Sequence, residues 1–254
     1  LMIRTTLIAL TLITLLGAPA TQAAELSPTL EKLKAAMAMD HRSDKNTARD
    51  DNREPLKAMD FCGLRDDMTV IEFGPGGGWY TEILGPVLQE KGALYIANKA
   101  KWLERLDDLL ARDFMSAVKK HPIDIGWVSD EHRFDVGDIV FDMKNADLAL
   151  NIREYHNFDT EGAAKLSAAL FAALKSGGYY CIIDHTRRHM ESDNAENGRR
   201  VDPVDLIKQV QATGFQFVDW SDMFFKADDE LRYEVGRKTV TGNTDRFALL
   251  FMKP

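Results

Sequence analysis

The sequence predicts an α/β domain built on a mostly parallel sheet, and three observations carry that reading. Short apolar runs alternate with stretches whose apolar residues recur at helical spacing. One run, residues 68–73 ("MTVIEF"), is continuous enough to be buried on both faces and leads straight into a glycine-rich turn. The last two strand candidates follow each other with no helical pattern between them, which predicts an antiparallel pair at one edge.

The elements follow in order. Residues 1–24 read as a secretory signal peptide: Arg4, an apolar run of ten residues ("LIALTLITLL"), then the small-residue stretch "GAPATQAA". Ten apolar residues fall short of the roughly 20 that span a bilayer. No later segment is apolar enough to cross a membrane, so the expected protein is exported, periplasmic or secreted, with no stable membrane insertion once the signal is removed. Ser27 and Pro28 predict a helix start, with Leu30, Leu33 and Met37 at helical spacing behind them. The polar run "DHRSDKNTARDDNREP" closes an N-terminal unit over 25–55 and is a candidate lid. Its arginines Arg42, Arg49 and Arg53 are placed either on a solvated charged face, the favoured reading, or closing over an anionic substrate.

The main domain is expected over 56–254. After a short helix over 56–63 come the 68–73 strand, the glycine turn, a helix over 79–90 and the strand "ALYIA". Leu103, Leu106, Leu110, Phe114 and Val118 stripe one helical face. "IDIGWV" and "DIVF" are short strand candidates, and "ADLALNI" is a clearer one. Leu166, Leu170 and Leu174 mark a helix stopped by Gly177 and Gly178, ahead of the strand "YYCIID". Asp202 caps, Pro203 opens and Gly214 closes another helix, and "FQFVDW" and "RFALLFMK" end the chain as strands. Cys62 and Cys181 are read as two buried thiols rather than a bridge, because at least one strand separates them in this arrangement.

A net charge of −8 and a pI near 5.3 give no general positive surface for phosphates, so nucleic acid is not an expected partner. The turn itself asks for a ligand. Glycines between a strand end and a helix start let the backbone approach a bound group, which then meets the helix N-terminus. A dinucleotide fingerprint would need glycine at position 79, where Trp79 stands. The pattern present is Glu72-x-Gly74-x-Gly76-x-Gly78, an acid followed by alternating glycines.

That pattern, on a strand opening an α/β domain, resembles motif I of the class I S-adenosylmethionine-dependent methyltransferases. The resemblance extends to the element order, the late antiparallel pair and "TGF" at the end of the penultimate helix. "RDDNREP", "EFGPGGGWYTEIL", "HNF", "DHTR", "RVDP" and "TDRF" resemble the exported, signal-bearing branch of predicted methyltransferases. The resemblance implies a Rossmann-like seven-stranded sheet, mostly parallel with an antiparallel last strand and helices on both faces. It implies S-adenosylmethionine across the carboxyl ends of the first and second strands, near Gly74, Gly76 and Gly78, with Glu72 on its amino group. Asn98 stands near the usual place of the ribose-binding acid, and Asp135 or Asp138 is a candidate adenine contact.

Methyl transfer needs an aligned nucleophile and, where that nucleophile is protonated, a base. His156, with Tyr155 and Asn157, falls where the family's substrate-facing motif lies. His185, oriented by Asp184, reaches the same edge from the next strand. Either histidine is a candidate base or substrate anchor, or a residue that fixes a loop. His185, His189 and Glu191 lack convincing spacing for a metal site, and none is expected. Trp79 and Tyr80 are placed in helix packing rather than in a cofactor wall. The expected activity is methyl transfer to a small molecule. The alternatives are a lyase or hydrolase on the same fold, or a non-catalytic envelope binding protein.

Overall fold

The computed structural model describes residues 26–254; the expected signal peptide lies outside them. Among the described residues nine strands form: β1 (Thr69–Phe73), β2 (Ala93–Asn98), β3 (Val118–Pro122), β4 (Ile125–Val128), β5 (Arg133–Val136), β6 (Ala146–Ile152), β7 (Leu174–His185), β8 (Gln216–Ser221) and β9 (Arg246–Met252). Seven of them make one sheet in the order β3-β2-β1-β6-β7-β9-β8, and β4 and β5 pair as a separate hairpin. Strands β3 to β7 of that sheet run parallel, whereas β9 is antiparallel to both β7 and β8. From β1 the chain winds outward to β2 and β3, then returns to β6 on the other side. The crevice at that reversal is where open α/β sheets bind ligands.

Alternation along the strands sorts the core into two layers. Val70, Leu94, Ile96, Leu148, Leu150 and Cys181 face one layer with the Pro28–Met37, Pro55–Phe61 and Thr81–Leu88 helices. Ile71, Phe73, Ala149 and Ile182 face the other, under the Thr160–Ala173 and Pro203–Ala212 helices. The caps read from sequence form: Ser27 accepts from the Leu30 N–H, and Asp202 from the Val204 N–H. Pro86 sits inside the Thr81–Leu88 helix and offers no N–H to the Glu82 carbonyl four residues back. His41 fills that place, its Nε2 lying 2.9 Å from the Glu82 oxygen.

The structure departs from expectation in four places. Cys62 and Cys181 form a disulfide with Cα atoms 5.5 Å apart. In-plane strand separation does not keep them apart, because Cys62 caps a helix that lies across the face to which Cys181 points. The 103–118 stripe is no continuous helix: Arg112 is extended and Val118 starts β3, pairing with Leu94. Gly177 and Gly178 lie inside β7, in a register shift between Ala146 and Leu148, and the helix ends earlier, at Ala173. "DIVF" forms no strand; the partner of β4 is β5.

Candidate functional site

Glycine geometry builds the floor of the site. Gly74, Gly76 and Gly78 have φ of +65°, +56° and +80°, left-handed backbone that side chains rarely adopt. Each faces something different. A Cβ on Gly74 would lie 2.5 Å from Cγ of Glu154, so the turn passes directly beneath that carboxylate. A Cβ on Gly76 or Gly77 would enter open space. A Cβ on Gly78 would meet Leu106 at 2.9 Å, which makes that glycine a packing requirement. The open space belongs to a cavity of about 1100 Å³ over the carboxyl ends of β1, β6 and β7. Gly74, Gly76 and Gly77 line it, and Gly78 does not.

Glu72 lines the cavity from the penultimate position of β1 and is 5% exposed. Its carboxylate accepts a 2.7 Å hydrogen bond from the Thr81 hydroxyl, yet burial still pushes its pKa from 4.5 up to about 7. Glu154 stands in the same condition after β6: burial raises it to about 7 despite a 2.9 Å bond from Asn157. Asn98 is off the wall; its side-chain oxygen accepts from the Lys99 N–H. Asp135 and Asp138 are exposed and also away from the cavity.

The two histidines do arrive together, with ring centroids 5.9 Å apart, but in opposite states. Asp184, fully buried at the end of β7, accepts from the backbone N–H of His156 (3.0 Å), from its ring Nδ1 (2.7 Å) and from the backbone N–H of His185 (2.7 Å). The carboxylate therefore orients His156, not His185. With Nδ1 donating to Asp184, the Nε2 of His156 is the nitrogen left to accept a proton, on a ring that lines the cavity. His185 has both nitrogens engaged. Arg153 Nε can only donate and lies 3.1 Å from His185 Nε2, so Nδ1 carries the proton and donates to Thr244 at 2.9 Å. Burial, then the Arg153 charge, hold the His185 pKa well below 6.5 and keep the ring neutral. Tyr155 is buried with its hydroxyl on Gln209, 3.0 Å away, and lines no part of the cavity. His189 bonds to Asp202 at 2.8 Å.

The 40–55 segment covers the glycine turn as two short helices, Asp44–Thr47 and Asp50–Arg53. It is no solvated face at Arg42 and Arg53, whose residues are 7% and 9% exposed. Arg42 bonds to Glu82 at 2.7 Å and to both oxygens of Asp50, while Asn46 bonds to Glu82 and accepts from the Trp79 indole. The guanidinium of Arg53 lies over the Trp79 ring, 4.5 Å from its centroid. Trp79 and Tyr80 are thus both core and cavity wall.

Sequence reasoning overlooked Gly77, Arg153 and Glu154. The last two are adjacent to Tyr155 and His156 in "REYHNF", and a charged pair closing a buried strand was the signal available. Arg153 also has φ +64°, which places a left-handed kink where β6 meets the cavity.

No protein-family model and no curated protein matches the chain. Solved structures do. A SAM-dependent methyltransferase from Aquifex aeolicus superposes with a TM-score of 0.59 at 15% identity, over 89% of this chain and 98% of that one. The [4+2]-cyclase SpnF gives 0.57 at 14% identity, over 80% and 81%. A putative O-methyltransferase from Nostoc punctiforme gives 0.54 at 14%, over 87% and 60%. The seven-stranded sheet with its antiparallel β9, and helices on both faces, is the Rossmann-like fold of the class I S-adenosylmethionine-dependent methyltransferases.

Proposed function

We propose that this chain is an exported S-adenosylmethionine-dependent methyltransferase acting on a small molecule, with His156 as its base. The observation that carries the reading is the Asp184–His156 pair on the wall of a cavity floored by the glycine turn. The residues present fit the cofactor. Gly76 and Gly77 leave room where a Cβ would intrude, and Glu72 is a buried carboxylate whose ionised form a cationic amino group would stabilise. Gly74, Gly76, Gly77 and Glu72 would hold it. When bound, S-adenosylmethionine supplies an electrophilic methyl group on a sulfonium. His156 Nε2 takes the proton of the acceptor, and Asp184 fixes the ring and steadies the imidazolium that results. The 40–55 roof and the buried aromatic pair exclude water.

The Cys62–Cys181 bond supports export, since such bonds persist in oxidising compartments. The cyclase among the structural neighbours supports keeping a second reading: the same fold with altered chemistry.

Calorimetric titration of residues 25–254 with S-adenosylmethionine and S-adenosylhomocysteine tests the proposal. Micromolar binding is expected, abolished in Gly76→Val, which puts a branched side chain at φ +56° and into the cavity. His156→Ala is expected to keep that binding and to lower turnover by about 10²–10⁴-fold once an acceptor is found. Absence of binding at millimolar ligand would overturn the cofactor reading. Binding with unchanged turnover in His156→Ala would overturn the base.

A further inference from the structure

Arg49, Arg53 and Arg153 converge on the cavity from two elements, the roof and the end of β6. Among the described residues none of them makes an ion pair, although Arg42, seven residues before Arg49 in the same roof, makes two. Arg53 is the clearest case. It is nine-tenths buried, lines the cavity, donates no side-chain hydrogen bond among the described residues, and its Nε is buried without a partner. Arg153 spends one donor on His185 and leaves its terminal amines uncommitted. A fourth guanidinium, Arg246, lies behind them over the Phe224 ring and also leaves its Nε without a partner. Burial, then repulsion from the Arg153 charge, brings Arg53 down to about 9 and Arg246 to about 10, so both remain cations at neutral pH.

No acid of the cavity wall, Asp130 and Glu131 at the hairpin tip included, forms an ion pair with these arginines among the described residues, although the Arg53 charge is felt at Glu72. Glu72 and Glu154 face the same cavity but bond to Thr81 and Asn157, beyond ion-pair distance of any arginine. Asp184 is committed to His156, and Asp193 and Glu234 at the rim pair with Arg133, Arg187 and Arg199. A buried cation without a counterion is costly, and it persists where a ligand supplies the countercharge.

We propose that Arg49, Arg53 and Arg153 form a preformed oxyanion site that binds a carboxylate or phosphate group of the methyl acceptor. This rests on the methyltransferase reading for the word acceptor; the anion site itself does not. The cofactor's single carboxylate is an insufficient occupant. It arrives with an ammonium and a sulfonium, so the bound cofactor adds net positive charge beside three guanidinium groups. An anionic acceptor neutralises both and places its nucleophile beside His156. On a protein of net charge −8, such a site attracts anions only locally, which favours a compact ligand over a polyanion.

Inorganic phosphate is the probe, titrated calorimetrically at pH 7.5 and low salt, with and without saturating S-adenosylhomocysteine. Phosphate is expected to bind in both conditions and to weaken about tenfold or more in Arg53→Gln and in Arg153→Gln, the scale of one lost charge-assisted pair. Arg53→Lys, which keeps the charge, is expected to recover part of the loss, and circular dichroism confirms that each variant is folded. Displacement of phosphate by S-adenosylhomocysteine would overturn the proposal, because the arginines would then serve the cofactor's own carboxylate. Absence of phosphate binding, or binding unchanged in both glutamine variants, would overturn it as well. If phosphate binds and S-adenosylhomocysteine does not, the anion site stands and the cofactor reading falls.

Discussion

Arg42 and Arg53 stand at the two ends of one polar segment, both buried, both with the guanidinium near Trp79, at 5.5 and 4.5 Å from its ring centroid. Their surroundings are opposite. For Arg42, burial lowers the pKa, but the hydrogen-bonded carboxylates of Asp50 and Glu82 more than offset it, and the net shift is upward. For Arg53, burial and then the Arg153 charge act together, with no bonded carboxylate against them, and the value falls to about 9. The first arginine is satisfied by the fold and holds the roof down. The second is left for something the fold does not contain. Burial of a charge therefore does not by itself tell structure from function; the presence of its countercharge does.

The largest expected effect breaks the satisfied end. Arg42→Met strands Glu82, whose side chain is 6% exposed, and is expected to cost about 3–5 kcal/mol in urea denaturation. A loss below about 1 kcal/mol would mean that the Arg42 cluster is no more than a surface pair.

Next in size is the pH dependence of the buried acids that lack an ion pair, the anionic counterpart of Arg53. Burial raises the folded-state pKa of Glu72 from 4.5 to about 7, so the folded protein binds the extra proton between those values. Its contribution to stability is full below about pH 4.5 and is lost as pH rises through 7, a fall of roughly 3 kcal/mol from this residue alone. Glu154 acts in the same direction. Thermal melts of the ligand-free protein from pH 5 to 8 are expected to show that decline, and Glu72→Gln to flatten its share. A rising profile that the substitution leaves unchanged would refute the assignment.

The smallest effect sharpens the comparison most. Arg53→Met removes a buried unpaired cation in exchange for a lost ring contact, and a gain of about 1 kcal/mol in urea denaturation is expected. Destabilisation as large as that of Arg42→Met would erase the distinction between the two ends.

Much of this was legible beforehand because it is local. The β1 strand, its glycine turn and the β8–β9 pair are set by runs of adjacent residues, and they form as the sequence predicts. What was hidden depends on partners distant in the chain. Nothing near Cys62 announces Cys181, 119 residues on, because only the layering of helix over sheet brings them together. The five evenly spaced apolar residues from Leu103 to Val118 satisfy helical periodicity, yet tertiary pairing with β2 takes Val118 into a strand. At the site, "DHTR" offered His185 beside Asp184, whereas the carboxylate reaches across to His156 on the neighbouring strand end. Sequence adjacency pointed to the right acid and the wrong ring.

Glu82 sits in the first turn of the Thr81–Leu88 helix, which continues the floor. Its side chain holds Arg42 and Asn46, and its carbonyl holds His41. Trp79 adds a second tie through Asn46, and Asn52 a third to Gly242 and Arg246, so roof and floor travel as one piece. A segment fastened in this way is a fixed wall rather than a door. That leaves the side walled by the 130–132 hairpin tip and the 193–199 loop as the route open to a ligand.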